Sequence, residues 1–240
     1  MLLLQIETSA LACSVALSYK GELVAELESE QPNQHSSSLT LLIQELLASQ
    51  EKNIQDLSAI AVSEGPGSYT GLRIGVSTAK GICYAQDILL IGISTLKALY
   101  NGFLAETASQ KHYGPEDLFM PVIDARRMEV YAKVYDAEGK EILPTGAYVI
   151  EHEAFFKEII KAGSKLHVFG SGAEKYQKLI AELDGQVIIH NNFTSKASYL
   201  SSLAYEKFSK EQWEDLAYFE PFYLKEFQPT SPKKKNLLEK

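Results

Sequence analysis

The fold is decided by the stretch Glu64-Gly65-Pro66-Gly67-Ser68-Tyr69-Thr70-Gly71-Leu72-Arg73-Ile74-Gly75-Val76-Ser77-Thr78-Ala79-Lys80-Gly81. It follows an apolar run typical of a strand, Leu57 to Val62, and turns on residues that only glycine and proline fill comfortably. Beyond the turn it opens a helix with many very small residues. This order predicts a place where a phosphate or another helix approaches the backbone closely.

Neither common phosphate-binding fingerprint fits this turn. A Walker A loop requires Gly-Lys-Ser/Thr from the fifth position after its first glycine, but Thr70 stands there after Gly65 and Leu72 after Gly67. The dinucleotide-binding fingerprint requires its third glycine where Thr70 stands. The turn is therefore not assigned to either class of nucleotide-binding protein.

Small residues recur at every fourth position from the turn into the helix. We call this set the glycine ridge: Gly67, Gly71, Gly75, Ala79 and Cys83. The set shares one slowly rotating side of the helix and has almost no side-chain bulk. Each glycine inside a helix costs about 0.8 to 1 kcal/mol relative to alanine, so close packing must offset the cost. Two occupants of the ridge stay open: the chain's own domain and a second protein.

A second predicted helix follows the serines 36–38, whose hydroxyls suit a helix start. Its apolar stripe consists of Leu39, Leu42, Ile43, Leu46 and Leu47. Leu41 lies off the stripe and widens the apolar surface, which either a neighbouring loop or a partner protein would cover. For His35, just before the serines, a role at the helix start is preferred over nucleophilic catalysis, because adjacent residues do not converge as a catalytic triad does.

The composition bounds the class of function. At 240 residues and 45% hydrophobic content, the chain can bury a substantial core in one large domain or two lobes. Its 23 basic and 31 acidic residues give a formal charge of −8, which argues against a generally basic nucleic-acid-binding surface. Cys13 and Cys83 are expected to be buried, reduced thiols. The opening residues predict no signal peptide or membrane span, and hence a cytoplasmic chain.

Apolar runs and turn signals predict two α/β lobes in tandem. The predicted strands lie at 2–7, 12–18, 23–29, 57–62, 88–93, 119–124, 129–135, 148–150 and 166–169, and later helices lie at 151–162, 171–183 and 195–209. The predicted divisions are an N-terminal lobe over 1–106, a C-terminal lobe over 107–228 and a disordered lysine-rich tail over 229–240. The fold class is α/β, with mixed sheets flanked by helices.

Four sequence blocks together resemble the TsaB (YeaZ) family. They are Ile6-Glu7-Thr8-Ser9, the block from Gly65 to Gly75, Asp124-Ala125-Arg126-Arg127-Met128-Glu129-Val130-Tyr131, and Pro221-Phe222-Tyr223-Leu224-Lys225. The match runs over nearly the whole chain up to Gln228, and its central block is the most specific. The resemblance implies the actin-like, two-lobe fold of the sugar kinase, Hsp70 and actin superfamily. It also implies a role in making N6-threonylcarbamoyladenosine beside the anticodon of tRNA.

The resemblance implies a non-catalytic scaffold that pairs with a TsaD-like catalytic subunit. A small TsaE-like ATPase joins that complex, and tRNA is reached through it. Because the partner shares the fold, a homodimer through the same surface stays open as an alternative. The predicted partner interface is formed by Leu39, Leu42, Ile43, Leu46, Gly71, Ile74, Gly75, Thr78 and Ala79. On this hypothesis, Gly75→Leu leaves the chain folded and abolishes binding to the TsaD-like subunit.

The resemblance also indicates where catalytic groups would stand. The catalytic relative carries His-x-x-x-His on the helix after the strand that corresponds to 88–93, a spacing that holds one metal ion. Here Thr95 and Leu99 stand at those positions, and no histidine occurs between His35 and His112. We therefore expect no metal site and no catalytic residue in this chain.

Two sets of residues are candidates for contact with nucleotide or tRNA. Glu7, Thr8 and Ser9 occupy the first phosphate-loop position of the actin-like fold, where ATP-handling relatives carry Asp-x-Gly. Without that glycine the backbone approaches a phosphate less closely. Arg126 and Arg127 suit phosphate, with pairing to a nearby glutamate as an equal alternative.

No cofactor is expected on the chain alone, while ATP or ADP at the junction with the partner stays open. The competing function is an autonomous ATPase or small-molecule kinase of the same fold, with Mg²⁺ near Glu7 or Asp124. Near the end of the sequence, an aromatic cluster is predicted to pack in the core or an interface rather than to stack on bases. It consists of Tyr218, Phe219, Phe222, Tyr223 and Phe227.

Overall fold

Two five-stranded mixed sheets form the frame of the molecule. The computed structural model describes residues 1–29, 35–108, 112–149, 151, 154–160, 163–177 and 186–225. Within these residues, helices pack against both sheets, so the predicted α/β class is confirmed.

The first sheet contains β1 (Leu2–Glu7), β2 (Ser14–Tyr19), β3 (Glu22–Glu28), β4 (Ala59–Gly65) and β5 (Leu89–Ser94), in the order β3-β2-β1-β4-β5. The first three strands run antiparallel, and β4 and β5 continue parallel to β1. The hairpin between β2 and β3 turns on Lys20 and Gly21, both with positive φ, as tight hairpin turns require. The parallel strands need crossovers, which two helices provide.

These crossover helices are α1 (His35–Ser49) and α2 (Tyr69–Gln86). The helix α2 begins where the sequence predicted, because the Ser68 hydroxyl accepts a hydrogen bond from the Gly71 N–H at 3.2 Å. It ends at Asp87, which adopts a left-handed conformation. Both helices bury their apolar sides in one core with β1, β2 and β4.

The second sheet contains β6 (Leu118–Asp124), β7 (Glu129–Asp136), β8 (Glu141–Val149), β9 (Leu166–Phe169) and β10 (Val187–His190), in the order β10-β9-β6-β7-β8. A third helix, α3 (Thr95–Thr107), follows β5 and packs against this sheet, where the Phe103 ring stacks on the Phe169 ring at 4.0 Å. A short helix, α4 (Ala154–Ile159), lies between β8 and β9.

The chain then returns to the first sheet. A 3₁₀ turn at Ala197–Leu200 leads into α5 (Ser201–Ser209). The Ala197 N–H donates to the Ser14 hydroxyl at 2.9 Å, and the Lys207 ammonium donates to the Gly92 carbonyl at 2.7 Å. The predicted C-terminal lobe over 107–228 is therefore wrong in extent, since the 3₁₀ turn at Ala197–Leu200 and α5 pack on the first sheet.

The other element predictions differ in detail. The predicted strands at 2–7 and 166–169 are confirmed with the same bounds, whereas α3 and β10 were not predicted. The strand predicted at 148–150 is the end of the longer β8. The helix predicted at 171–183 is a 3₁₀ turn at Ala173–Tyr176, and its later part, like the tail over 229–240, lies outside the described residues.

Candidate functional site

The turn after β1 fills the glycine ridge. The Ser68 N–H donates to the Ser9 carbonyl at 2.8 Å, which places residues 8 and 9 against the start of α2. A Cβ atom added at Gly71 would lie 2.0 Å from the Thr8 carbonyl oxygen, and one added at Gly75 would lie 2.2 Å from the Thr8 hydroxyl oxygen. Only glycine allows this approach, so the occupant of this part of the ridge is the chain itself.

Most of the predicted partner interface is wrong, because its residues are buried inside the chain. Six of its nine residues are buried within the chain and present no surface to a partner: Leu39, Ile43, Leu46, Gly71, Gly75 and Ala79. The expectation that Gly75→Leu leaves the chain folded is also wrong, because the added side chain would meet the buried Thr8. The half-buried Leu42, Ile74 and Thr78 remain predictions.

Glu7, Thr8 and Ser9 are also buried, at most 1% exposed. One Glu7 oxygen accepts hydrogen bonds from the Ser9 N–H at 2.6 Å and the Ser63 hydroxyl at 3.1 Å. Burial raises the pKa of the Glu7 carboxyl above its usual 4.5, and these hydrogen bonds oppose the rise. The three residues tie the first turn together and present almost no surface, and their contact with a nucleotide stays a prediction.

A second turn, after β6, exposes two arginines. The Asp124 carboxylate accepts the Arg126 N–H at 2.6 Å, and both Arg126 and Arg127 have positive φ, at 70° and 53°. Two consecutive non-glycine residues in this region are uncommon and strained. Both side chains lie on the surface.

Lysines from elsewhere hold the acids of this second turn. The Lys175 ammonium lies 2.5 Å from the Asp124 carboxylate and also donates to the Glu129 carbonyl. The Lys225 ammonium pairs with the Glu129 carboxylate. The alternative in which an arginine pairs with Glu129 is therefore wrong.

A Gly-Ser-Gly sequence supports this turn, and sequence reasoning missed it. A Cβ atom added at Gly170 would lie 2.1 Å from the Val122 carbonyl oxygen, and one at Gly172 would lie 2.7 Å from a Val130 methyl group. Between them, the Ser171 hydroxyl accepts the Asp124 N–H at 3.2 Å. Two glycines directly after the strand at 166–169 were the available signal.

The segment Glu220–Lys225 joins the turns. The Phe222 N–H donates to the Glu64 carbonyl at 2.7 Å, the Tyr223 and Tyr69 rings lie 4.8 Å apart, and Lys225 reaches Glu129. Three of the four sequence blocks therefore meet here. We call the turn 64–68, the turn 124–128 and the segment 220–225 together the strand-end site.

The strand-end site contains a pocket of about 400 Å³. Its lining consists of Glu64, Glu220, Pro221, Phe222 and Tyr223. Burial raises the pKa of the Glu64 carboxyl, while Lys207 opposes the rise. The pocket lining thus combines aromatic and acidic residues, and the Glu64 carboxyl lies next to Gly92.

The aromatic cluster near the end of the sequence is largely on the surface. Tyr218 is 85% exposed and Phe222 48% exposed, so they do not pack in the core, and the alternative that they pack in an interface stays a prediction. Phe219 is half-buried over Gly92, and Phe227 lies outside the described residues.

The outer side of α1 and α2 is a second candidate surface. The outer surface of α2 carries the exposed residues Thr70, Arg73, Ser77, Gly81 and Tyr84. Tyr84 is 83% exposed, and a Cβ atom added at Gly81 would have no neighbour within 4 Å. On α1, Leu41 is 62% exposed, so no loop of the described residues covers it.

The remaining candidate groups lie in the core or outside the description. Thr95 and Leu99 are both buried, and no group of three or more His, Cys, Asp or Glu among the described residues is placed to hold a metal ion. Cys13 and Cys83 are buried free thiols, as predicted, and burial raises the pKa of each to about 12. The side chain of His35 lies outside the description. In the part of the chain described, no helix has the length and apolarity to cross a membrane.

Known proteins resemble the chain over nearly its full length. The family model described as TsaD, tRNA N6-adenosine threonylcarbamoyltransferase, matches residues 22–238. The tRNA threonylcarbamoyladenosine biosynthesis protein TsaB of Escherichia coli K12 is 28% identical over 94% of this chain and 95% of its own. The Bacillus subtilis protein of the same name is 36% identical over about half of each chain, 56% and 55%. The chain belongs to this family, in its TsaB (YeaZ) branch.

Solved structures agree on the fold. YeaZ from Pseudomonas aeruginosa is 25% identical, covers 93% of this chain and 99% of its own, and superposes with a TM-score of 0.75. The activator of the 2-hydroxyisocaproyl-CoA dehydratase from Clostridium difficile, solved with bound ADPNP, is only 9% identical but superposes with a TM-score of 0.52. The family resemblance and the actin-like fold expected from the sequence are confirmed.

Proposed function

We propose that this chain is a cytoplasmic scaffold subunit of the complex that makes N6-threonylcarbamoyladenosine in tRNA. It works with a TsaD-like transferase and a TsaE-like ATPase, and it reaches tRNA through the complex. The names of its TsaB relatives support the pathway. The assignment to a supporting rather than a catalytic role rests on the first turn.

The observation that carries the proposal is the contact of Thr8 with the glycine ridge. At this position an actin-like ATPase needs an open loop whose backbone meets a phosphate. Here the Thr8 carbonyl lies 2.0 Å from where a Gly71 Cβ would stand, so the space is already occupied. A chain with this turn closed lacks the phosphate contact on which autonomous ATPase chemistry of this fold depends.

We assign the TsaD-like partner to the outer side of α1 and α2. Glycine inside a helix costs about 1 kcal/mol relative to alanine, and at Gly81 no internal contact explains the cost. Close approach of a partner helix explains it. The exposed Leu41 and Tyr84 then supply apolar contact area, with the half-buried Ile74 and Thr78 beside them. A homodimer would use the same surface with two-fold symmetry.

The strand-end site supplies the second assignment. Arg126 and Arg127 are exposed on a turn whose acids are already paired, so their guanidinium groups are available to phosphate. We assign them to tRNA phosphate or to ATP or ADP held at the junction with the partner.

Reconstitution tests the scaffold role. A TsaD-like subunit, a TsaE-like ATPase, tRNA and the threonylcarbamoyl donor are combined with and without this chain, and modified adenosine is measured by mass spectrometry. The proposal predicts modification only with the chain, and negligible ATP hydrolysis by the chain alone. Modification at full rate without the chain would refute the scaffold role, and ATP turnover by the isolated chain would favour the competing kinase or ATPase.

A further inference from the structure

The strand-end site has the parts of a nucleotide-binding site and lies beside the closed first turn, where the Ser68 N–H donates to the Ser9 carbonyl. We propose that it binds a nucleotide unit, with an amino-bearing base in the pocket beside Phe222 and a phosphate at Arg126 and Arg127. The unit comes either from a free nucleotide or from an unpaired RNA loop. This rests on the proposed function only in taking tRNA as the RNA.

The charges around the second turn favour a phosphate. The turn has two acids, Asp124 and Glu129, each held by a lysine, so the four groups cancel. The two arginines then leave a net charge of about +2 on this turn and its paired lysines, while Glu64 and Glu220 are the acids of the neighbouring pocket lining. Guanidinium groups on an exposed turn bind phosphate oxygens in a bidentate geometry.

The pocket favours a base. Phe222 is 48% exposed and Tyr223 36% exposed, and both line it, so each presents a ring to an incoming planar group. Glu64 and Glu220 belong to the same lining. Carboxylates accept hydrogen bonds from the exocyclic amino groups of bases, which favours adenine, cytosine or guanine over uracil.

The structure places the two halves of the site next to each other. Tyr223 lines the pocket, and two residues later Lys225 pairs with Glu129, which closes the turn that carries the arginines. Burial raises the pKa of Tyr131 and Glu129 adds to the rise, whereas Lys225 and Arg126 oppose it. A base in the pocket therefore has basic side chains beside it for its phosphate.

The geometry also limits the form of RNA. A base in a duplex stays stacked and paired, so only an unpaired loop or end offers a base to the pocket. Two cationic contacts to phosphate make the affinity depend on salt, with a log–log slope of about −0.7 per contact for single strands.

The experiment measures fluorescence anisotropy with the full-length chain, alone and with its TsaD-like partner. The probes are a labelled anticodon stem–loop RNA, a fully paired duplex of the same stem, and labelled ATP and ADP. The variants are Arg126→Ala/Arg127→Ala and Phe222→Leu, the second of which keeps an apolar side chain but removes the ring. The matched control is Tyr19→Leu/Lys20→Ala, which removes an exposed aromatic ring and an exposed cation far from the site, where Lys20 lies over the Tyr19 ring on the β2–β3 hairpin.

We expect the stem–loop or the free nucleotide to bind, and the duplex to bind more weakly. Each site variant should weaken binding about tenfold, as loss of a stacking or phosphate contact does, while the control leaves it unchanged. The arginine variant should also reduce the salt slope. If the stem–loop binds and ATP and ADP do not, RNA is the source of the nucleotide unit. If ATP or ADP binds and the stem–loop does not, the source is the free nucleotide.

Absence of binding to every probe, alone and in the complex, would overturn the inference. Equal affinity of the site variants and the control would overturn it as well. Co-elution with the TsaD-like partner is measured on the same proteins. If the site variants lose the partner but bind the probes normally, the surface is a protein interface: the inference then fails, while the scaffold function stands.

Discussion

Two glycines on the same helix are expected to respond to the same substitution with opposite sign. At Gly75 an added Cβ atom would lie 2.2 Å from the buried Thr8 hydroxyl oxygen, whereas at Gly81 it would meet no atom within 4 Å. Overpacking a filled site costs about 1 to 3 kcal/mol. Alanine in place of glycine inside a helix gains up to about 1 kcal/mol. Gly75→Ala should therefore lower the free energy of unfolding by about 1 to 2 kcal/mol, and Gly81→Ala should raise it by about 0.5 to 1 kcal/mol.

Thermal and urea unfolding of the two variants measure this contrast. For a chain of this size, 1 kcal/mol shifts the Tm by about 2 to 4 °C, so the two Tm values should separate clearly. The double variant Thr8→Ala/Gly75→Ala removes the oxygen that the new methyl group meets. It should therefore be more stable than the sum of the single effects predicts. Equal shifts at Gly75 and Gly81, or no recovery in the double variant, would refute the account of the ridge.

Three further predictions follow from burial. The raised pKa of Glu7 means that the folded state binds the proton of this carboxyl more tightly than the unfolded state does, so its contribution to stability falls as the pH rises above 4.5. Glu7→Gln removes this pH dependence. In urea unfolding at acid and alkaline pH, the free energy of unfolding of the variant should therefore rise relative to that of the wild type as the pH rises. Because Cys13 and Cys83 are buried with pKa values near 12, a thiol reagent at pH 8 should label neither in the folded chain and both in denaturant. Leu41→Asp should leave the Tm nearly unchanged and weaken partner binding, whereas Leu46→Asp, at a fully buried position, should prevent folding; similar Tm values for the two would contradict the assigned faces of α1.

Local patterns in the sequence predicted the local structure well. The turn before α2 follows from the glycines and proline, and β1 follows from a short apolar run. These features depend on residues within a few positions of one another. The family blocks likewise pointed to the correct fold, because they contain the turns on which the two sheets are built.

The partners of those local features were harder to predict. The glycine ridge predicted a close approach but not the residue that makes it, because Thr8 lies more than sixty residues before Gly71 in the sequence. An arginine was one of two open partners for Glu129, whereas Lys225, far along the chain, takes that place. Both errors have one physical cause: a side chain's neighbour across a fold is set by tertiary packing, which periodicity does not report.

The predicted extent of the second lobe was wrong for the same reason. The sequence order placed residues 107–228 in one lobe, yet the Ala197 N–H bonds to the Ser14 hydroxyl and the Glu214 N–H bonds to the Leu90 carbonyl. The strand-end site exists because of this return, which carries Phe222 and Lys225 to turns that the sequence treated separately. The exposure of the aromatic residues at this site could not be predicted either, because composition alone favours burial of aromatic rings.

The central claim is that the chain serves a TsaD-like subunit through the outer side of α2, while the glycine ridge serves its own fold. The most direct test is the affinity of Gly81→Arg for that subunit, measured by calorimetry beside Lys210→Ala, which removes only an exposed ion pair on α5. Gly81→Arg should lower the affinity for that subunit at least tenfold with no fall in Tm, and Lys210→Ala should leave the affinity unchanged. Undiminished affinity of a folded Gly81→Arg chain would contradict it.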